Sequence, residues 1–412
     1  MRWTFYSIIF FILFLSSSSF GADLSGNSRT YLRFMESTND NAFNPLYEYF
    51  DFHISNINGK DISLFFGGWL SYDLADVSYN KRYDNNLQYA FIQYNHRASE
   101  LTAELGRFYV FEGIASEQID GVYVKKYFRK KFGLTVYGGI PVETDFDERG
   151  GDSIYGGRLS FEGNSYILGL SYLKEKNDSN DFREETGIDL YLKPLNEIEL
   201  TGHSDYNMEQ SGWQEHSYYL SISPSSGLYI KPLISWIDYR NFFYSPTTSA
   251  FKFDPAIIDP KETLLTYGGS VEYNKGSFII SGDYKRHNYE VHESANYYGG
   301  SITYFSISPN FSKKKASLGI SVHRMDGKID SLKYNEYRIF ASLNLNRISL
   351  ATDLIDINYD LQRNGIKNAY ALSGYLGYSL TRNLILSADA EYGKNPEFDR
   401  EVKTMLKIIY RL

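Results

Sequence analysis

Past residue 24 the chain repeats one unit, roughly 10 to 13 residues of alternating side-chain polarity followed by a turn signal. In "YILGLSYL" the residues Tyr166, Leu168, Leu170 and Tyr172 form one set, with Ile167, Gly169 and Ser171 between them. "NLILSADAEY" sets Leu384, Leu386, Ala388, Ala390 and Tyr392 against Ser387, Asp389 and Glu391. "EIELTGHSDY" and "ASLGISVH" behave alike, with His203 and Asp205 on the polar side of the first. A period of two places each set on one face of a sheet. The abundance of Tyr (38) and Phe (28) with few Pro (10) agrees with strands and not with helices.

The connections alternate too. Short ones such as "GNS" (163–165), "SSG" (225–227) and "NKG" (274–276) take turns with longer polar ones. The longer ones are expected at 75–85, 110–117, 143–151, 177–184, 208–213, 241–262, 287–293, 326–332, 360–366 and 394–399. This is the pattern of a meander whose two rims meet different surroundings. The reading is all-β, with about 22 strands (20–24), and an even number returns both termini to one rim. Phase slips near 100–111, 228–239 and 348–359 suggest bulges there.

A soluble sandwich also alternates, but soluble strands average about 5–6 residues, while a tilted membrane-spanning strand needs about 9–11. Aromatic residues also sit at the ends of apolar stripes: Tyr166 and Tyr172, Tyr155 and Phe161, Tyr267 and Tyr273, Tyr370 and Tyr378. That placement suits two interfacial girdles. The chain opens on Arg2, the apolar run "YSIIFFILFL" and the small-residue end "SSSSFGA", the pattern of a secretory signal peptide over 1–22. The expected architecture is therefore a single closed antiparallel transmembrane β-barrel over 23–412, with short periplasmic turns and longer extracellular loops. Localisation to the bacterial outer membrane follows.

Closure is a physical requirement, because an open edge in hydrocarbon leaves backbone N–H and C=O groups unpaired. The last strand, "EVKTMLKIIYRL", must then pair with the first, "NSRTYLRFME". Val402, Thr404, Leu406, Ile408, Tyr410 and Leu412 would face lipid; Lys403, Lys407 and Arg411 would face the lumen. Arg29 and Arg33 would face inward on the first strand.

The terminal segment resembles Gram-negative outer-membrane β-barrels, whose assembly machinery reads an alternating last strand that usually ends on an aromatic residue. Ile408 and Tyr410 fit that pattern, and Leu412 departs from it. "TYLRFMEST", "LYEYFDF", "FGGWLSYDLAD" and "GRFYVFEGIASEQIDGVYV", all within 28–140, are similar to porin-like barrels of sediment metal-reducing bacteria. The resemblance implies a porin-like channel, or a barrel that sheathes a multihaem cytochrome.

A globular plug needs a domain before the barrel, and few residues separate the expected cleavage site from the first strand. The lumen is expected to carry both signs. Arg29, Arg33, Arg158, Lys285, Arg338, Lys403, Lys407 and Arg411 are basic; Asp51, Asp189, Glu199, Asp205, Asp283, Asp389 and Glu391 are acidic. The basic residues at the seam of first and last strands read either as an anion-attracting stripe or as charges paired across strands. The long connection 241–262 contains Phe242, Phe243, Phe251, Phe253 and Asp254, and is a candidate constriction or docking loop. No His sits in a metal-binding or nucleophile motif, so neither catalysis nor a cofactor is expected. Cys is absent, which excludes covalent haem attachment and thiolate sites on this chain. The acidic balance, -8 at pH 7, argues against nucleic acid as a partner. The partners expected are outer-membrane lipid and the assembly machinery, with a multihaem cytochrome under the sheath reading. The function expected is a passive channel for small hydrophilic solutes; a cytochrome sheath is the alternative and a barrel hydrolase a distant third.

Overall fold

In a computed structural model of the chain, the structure describes residues 22–36, 42–57, 60–75, 82–142, 153–177, 180–242, 262–291, 293–307 and 314–412. The expected signal segment lies outside them, apart from residue 22. Strands β1 (Asp23–Glu36), β2 (Pro45–Ser55), β3 (Ile62–Asp73), β4 (Tyr83–His96), β5 (Leu101–Glu112), β6 (Ala115–Phe128) and β7 (Phe132–Pro141) come first. Next come β8 (Ser153–Gly163), β9 (Tyr166–Asn177), β10 (Asn180–Leu195), β11 (Ile198–Asn207), β12 (Gly212–Ser225), β13 (Leu228–Asp238), β14 (Thr263–Lys275) and β15 (Phe278–Tyr289). The series ends with β16 (Ser294–Ile307), β17 (Lys314–Gly327), β18 (Lys333–Leu345), β19 (Ile348–Arg363), β20 (Ile366–Ser379), β21 (Leu384–Asn395) and β22 (Phe398–Arg411). A two-residue piece, Ala42–Phe43, pairs with Met35 and Glu36 and extends the β1 hairpin.

Each strand pairs antiparallel with its chain neighbours, and β1 also pairs with β22 from Asn27–Arg411 to Met35–Lys403. The molecule is a closed 22-stranded antiparallel barrel. Both ends of the barrel chain lie at one rim, where Asp23 pairs with Ser55 and Asn27 with Arg411.

The outer face is apolar because every second side chain on each strand is. Leu159, Leu170 and Leu406 stand 50–57% exposed there, a level that a water-soluble surface would not repeat from strand to strand. Aromatic rings close the belt at both rims. Phe132, Phe161 and Tyr166 touch in series near the terminal rim, with centroids 4.9 and 5.2 Å apart. Tyr206, Trp213, His216 and Trp236 do the same near the opposite rim, at 5.2, 4.7 and 5.4 Å. The belt is broken at Glu48, whose carboxylate accepts from the Ser28 and Thr30 hydroxyls at 2.5 Å each. Those two bonds replace water that an outward carboxylate would otherwise need.

Three connections expected to be long, 110–117, 360–366 and 394–399, are hairpin turns closed by the pairs Glu112–Ala115, Arg363–Ile366 and Asn395–Phe398, and in the fourth, 177–184, the ladder of β9 and β10 continues to Asn177–Asn180. Their polar sequences suggested loops, but backbone pairing does not require apolar side chains once the strands leave the bilayer. The suspected bulges also resolve. Leu101–Glu112 and Ile348–Asn358 run in register with β6 and with both β18 and β20, respectively. Only the 228–239 stretch shifts register, at its turn end against β12.

Candidate functional site: the lumen and its inward arm

The hairpin of β5 and β6 does not stay in the wall. Pairing of β4 with β5 stops at Ala90–Arg107, while β5 and β6 remain paired to Glu112–Ala115. The departure point is a row of glycines. Gly106 has φ +128°, a conformation that side chains resist, and a Cβ there would overlap the Ala90 carbonyl oxygen. A Cβ on its cross-strand partner Gly121 would overlap the Gly138 carbonyl oxygen. Backbones can approach closely here, so the ribbon 107–120 bends into the lumen, its β5 edge free of β4 beyond Arg107 and its β6 edge still paired to β7 as far as Ile119–Pro141.

The arm lands on the inner faces of β7, β8 and β9. Phe108, Val110, Ala115 and Ile119 pack with Tyr137, Ile154 and Leu173, all 3% exposed or less. Each large side chain buried this way contributes about 1.5–3 kcal/mol, so the contact holds the ribbon against its loss of pairing to β4. At the tip, the Ile114 amide donates to Ser171 Oγ at 3.1 Å. Gly187 leaves room for the Ile114 side chain; a Cβ there would overlap it.

Charged groups surround this core. Arg158 grips Asp189 with two bonds of 2.9 and 2.5 Å and reaches Glu112 on the arm at 3.7 Å. Glu112 also accepts from Lys125 at 2.8 Å and from the Tyr123 hydroxyl at 2.6 Å. Arg183 bridges Glu117 on the arm and Glu185 on the wall, the latter at 2.7 Å. Such buried pairs fix geometry more surely than they add net stability.

Among the described residues, the arm leaves one side of Tyr83–Tyr89 in β4 without a ladder partner. Side chains of the departing ribbon serve instead: Arg107 Nη1 donates to the Leu87 carbonyl at 3.1 Å, and Gln118 Nε2 donates to that of Gln88.

The wall from β18 through β22 to β1 and β2 carries charged pairs in the open. Arg29 meets Asp51 at 3.3 Å, Lys407 meets Asp389 at 2.8 Å, and Arg338 holds Asp353 with two nitrogens. Lys403 meets Glu401 at 2.7 Å and Glu391 at 3.9 Å. A cavity of about 740 Å³ lies over Arg33, Arg338, Asp389, Glu391 and Lys403. Farther round the wall, Asp283 pairs with His323 at 3.0 Å, Glu199 accepts from the Tyr191 hydroxyl at 3.3 Å, and Lys285 lines a cavity with both acids. Arg411 closes β22 at the rim. Of the seam cations, Arg29, Lys403 and Lys407 thus have carboxylate partners, while Arg33 lies over the Tyr47 ring. His203, Asp205 and Glu215 form a group of three whose ligating atoms lie within 4.8 Å of one another.

Of the expected loop, Phe242 ends a one-turn helix, Tyr239–Phe242, and is 40% exposed. Phe243, Phe251, Phe253 and Asp254 lie outside the described residues. The arm is what sequence reasoning misses, because 110–117 reads as an ordinary loop. Also missed is an aromatic lining on the inner faces of β1 to β4. Tyr31 meets Tyr49 at 5.4 Å, Tyr47 meets Trp69 at 6.1 Å, and the Arg33 guanidinium lies 5.4 Å over Tyr47. His53, Phe65 and Phe91 stack at 4.2 and 4.7 Å. The available signal was that "LYEYFDF" and "LFFGGW" carry aromatics on both parities, more than one outer girdle can use.

No protein-family model and no curated protein matches the chain in sequence. Among solved structures, it is similar to a point mutant of the ferric enterobactin receptor PfeA of Pseudomonas aeruginosa. The TM-score is 0.59 at 11% identity, over 95% of this chain and 81% of that one. OccK5 (OpdH) of the same organism aligns with a TM-score of 0.42 at 13% identity, over 95% and 98%. Its OprD aligns with 0.45 at 9%, over 95% of each. At such identities the likeness concerns the fold. Closure, the apolar belt and the two aromatic girdles make the chain a transmembrane β-barrel of the bacterial outer-membrane type.

Proposed function

We propose that this barrel is a passive outer-membrane channel for small hydrophilic solutes, with the arm 107–120 setting its narrowest passage. One observation carries the reading. The wall from β18 through β22 keeps its charged side chains hydrated, with Arg338, Lys403 and Glu391 at 43%, 38% and 46% exposure. A water-filled lumen is the setting in which such pairs persist at little cost. Arg29, Arg33, Asp51, Asp389 and Lys407 would line the path on one side, and Arg158, Asp189 and Asp205 on the arm side. The arm takes up lumen that a sheathed cytochrome would need, which ranks the sheath second. Purified protein in planar bilayers should give discrete conductance steps. A well-inserted barrel that stays silent, or one that co-purifies with haem absorbance, would reverse the order.

A further inference from the structure

We propose that His203, Asp205 and Glu215 form a lumenal binding site for a divalent first-row transition-metal ion of the zinc class. His203 and Asp205 stand two residues apart on β11, so their side chains share the inner face. Glu215 on β12 pairs directly with Asp205. The register then shifts, because Tyr206 faces Trp213 and leaves Gln214 as the extra residue of a bulge. Gln214 Nε2 is bound to Glu185 Oε1 at 2.8 Å on the inner wall, so this bulge is held from the lumen side.

The spacing fits an ion. His203 Nε2 lies 3.6 Å from Asp205 Oδ2 and 3.5 Å from Glu215 Oε1. Two donors each about 2.1 Å from a tetrahedral ion lie about 3.4 Å apart. The charges fit as well. The neighbouring carboxylates each have an arginine: Asp189 holds Arg158, and Glu185 holds Arg183. Among the described residues, His203 alone lies within ion-pair distance of Asp205 and Glu215, with His216 farther off on the outer face of β12. Two carboxylates directly opposite across strands repel unless a cation sits between them. A protonated His203 could serve, but one imidazole with two carboxylates is also a ligand set for zinc, and the imidazole disfavours calcium and magnesium. Glu215 is oriented by a hydrogen bond from Ser217 Oγ, as ligating carboxylates commonly are. The remaining coordination positions would open toward a lumenal cavity of about 640 Å³ lined by Phe111, Ile114, Thr201 and Tyr219. An anionic solute entering beside the arm could bind there as a further ligand.

The test is calorimetric titration of Zn²⁺ into the detergent-solubilised, metal-stripped barrel, with Mg²⁺ as comparison. One Zn²⁺ per barrel is expected, with no heat from Mg²⁺. Affinity should fall about tenfold or more in His203→Ala and in Glu215→Gln. Folding of each variant is checked by its migration on unheated gels. His203→Gln, which keeps a polar side chain of similar reach, replaces His203→Ala if that variant fails to fold. X-ray absorption of the zinc-loaded wild type should show one imidazole among oxygen ligands. Absence of zinc binding at millimolar concentration would leave His203 as a protonic bridge and overturn the proposal. So would binding that survives in both variants. Neither outcome bears on conductance, so the channel reading stands or falls separately.

Discussion

The inner faces of β8–β9 and of β18–β22 share one period but have opposite surroundings. On the first, Ile154, Leu173 and Glu175 are 0–1% exposed. On the second, Arg338, Glu391 and Lys403 keep 38–46% of their side-chain surface in water. Alternation sets which side chains point inward on both walls. It does not say whether anything folds over them. On the first wall the arm does, and a lumen that would be wet becomes locally a protein core. The same kind of charge then has two energetic meanings. Arg158 is buried and committed, whereas Arg338 is solvated and replaceable.

Releasing the arm should produce the largest effect. Ile119 is fully buried between arm and wall. In Ile119→Asp a carboxylate would lose its water without gaining a partner, a cost of several kcal/mol that the docking contacts cannot meet. The arm should leave the wall while the barrel stays closed. Single-channel conductance should rise severalfold, and the tip at 113–114 should become open to protease from the lumen. Unchanged conductance in a folded Ile119→Asp barrel would show that the arm does not set the passage.

The next contrast compares like with like. Arg158→Ala leaves Asp189 without its two bonds and Glu112 with one cation fewer, inside a protected site. Removing one partner of such a group costs about 1–3 kcal/mol. Arg338→Ala on the open wall frees Asp353 into water and should cost about 0–1 kcal/mol. The temperature at which each variant loses its folded gel mobility measures the difference. Equal shifts would mean that the two walls are equally wet.

Legibility in the sequence follows the same division. Period two was enough for the outer face, for the closure of β22 on β1 and for the strand number, since lipid imposes one rule on every strand. The arm breaks no such rule. "RFYVFE" is apolar on both parities: Phe108 and Val110 face the wall while Tyr109 and Phe111 face away from it. That doubled apolarity is visible as a phase slip, which by itself suggests a bulge. Its cause is a ribbon with protein on one side and lumen on the other. Ile355, Ile357 and Tyr359 on the inner face of β19 produce the same slip without a register change over Ile348–Asn358. The row Gly106, Gly121, Gly138 and Gly139 was the remaining hint, and only strand pairing brings those four together. The charged lumen residues could be assigned a face from sequence, but their partners depended on register, which alternation alone leaves free.

The smallest expected effect tests the open wall alone. Lys403 and Lys407 lie on β22 beside Glu391, Glu401 and Asp389. If these pairs are hydrated, the double variant Lys403→Gln, Lys407→Gln should change stability by less than about 1 kcal/mol. It removes two positive charges from the lumen wall and leaves the three carboxylates. Reversal potentials across a salt gradient should therefore move toward cation selectivity. At 1 M salt the Debye length is about 3 Å, so the shift should fade there and be clear near 0.1 M. The same substitutions would have no effect on selectivity if solutes passed only along the arm. A null result at low salt, with the Ile119→Asp effect intact, would therefore confine the path to the arm's side of the lumen.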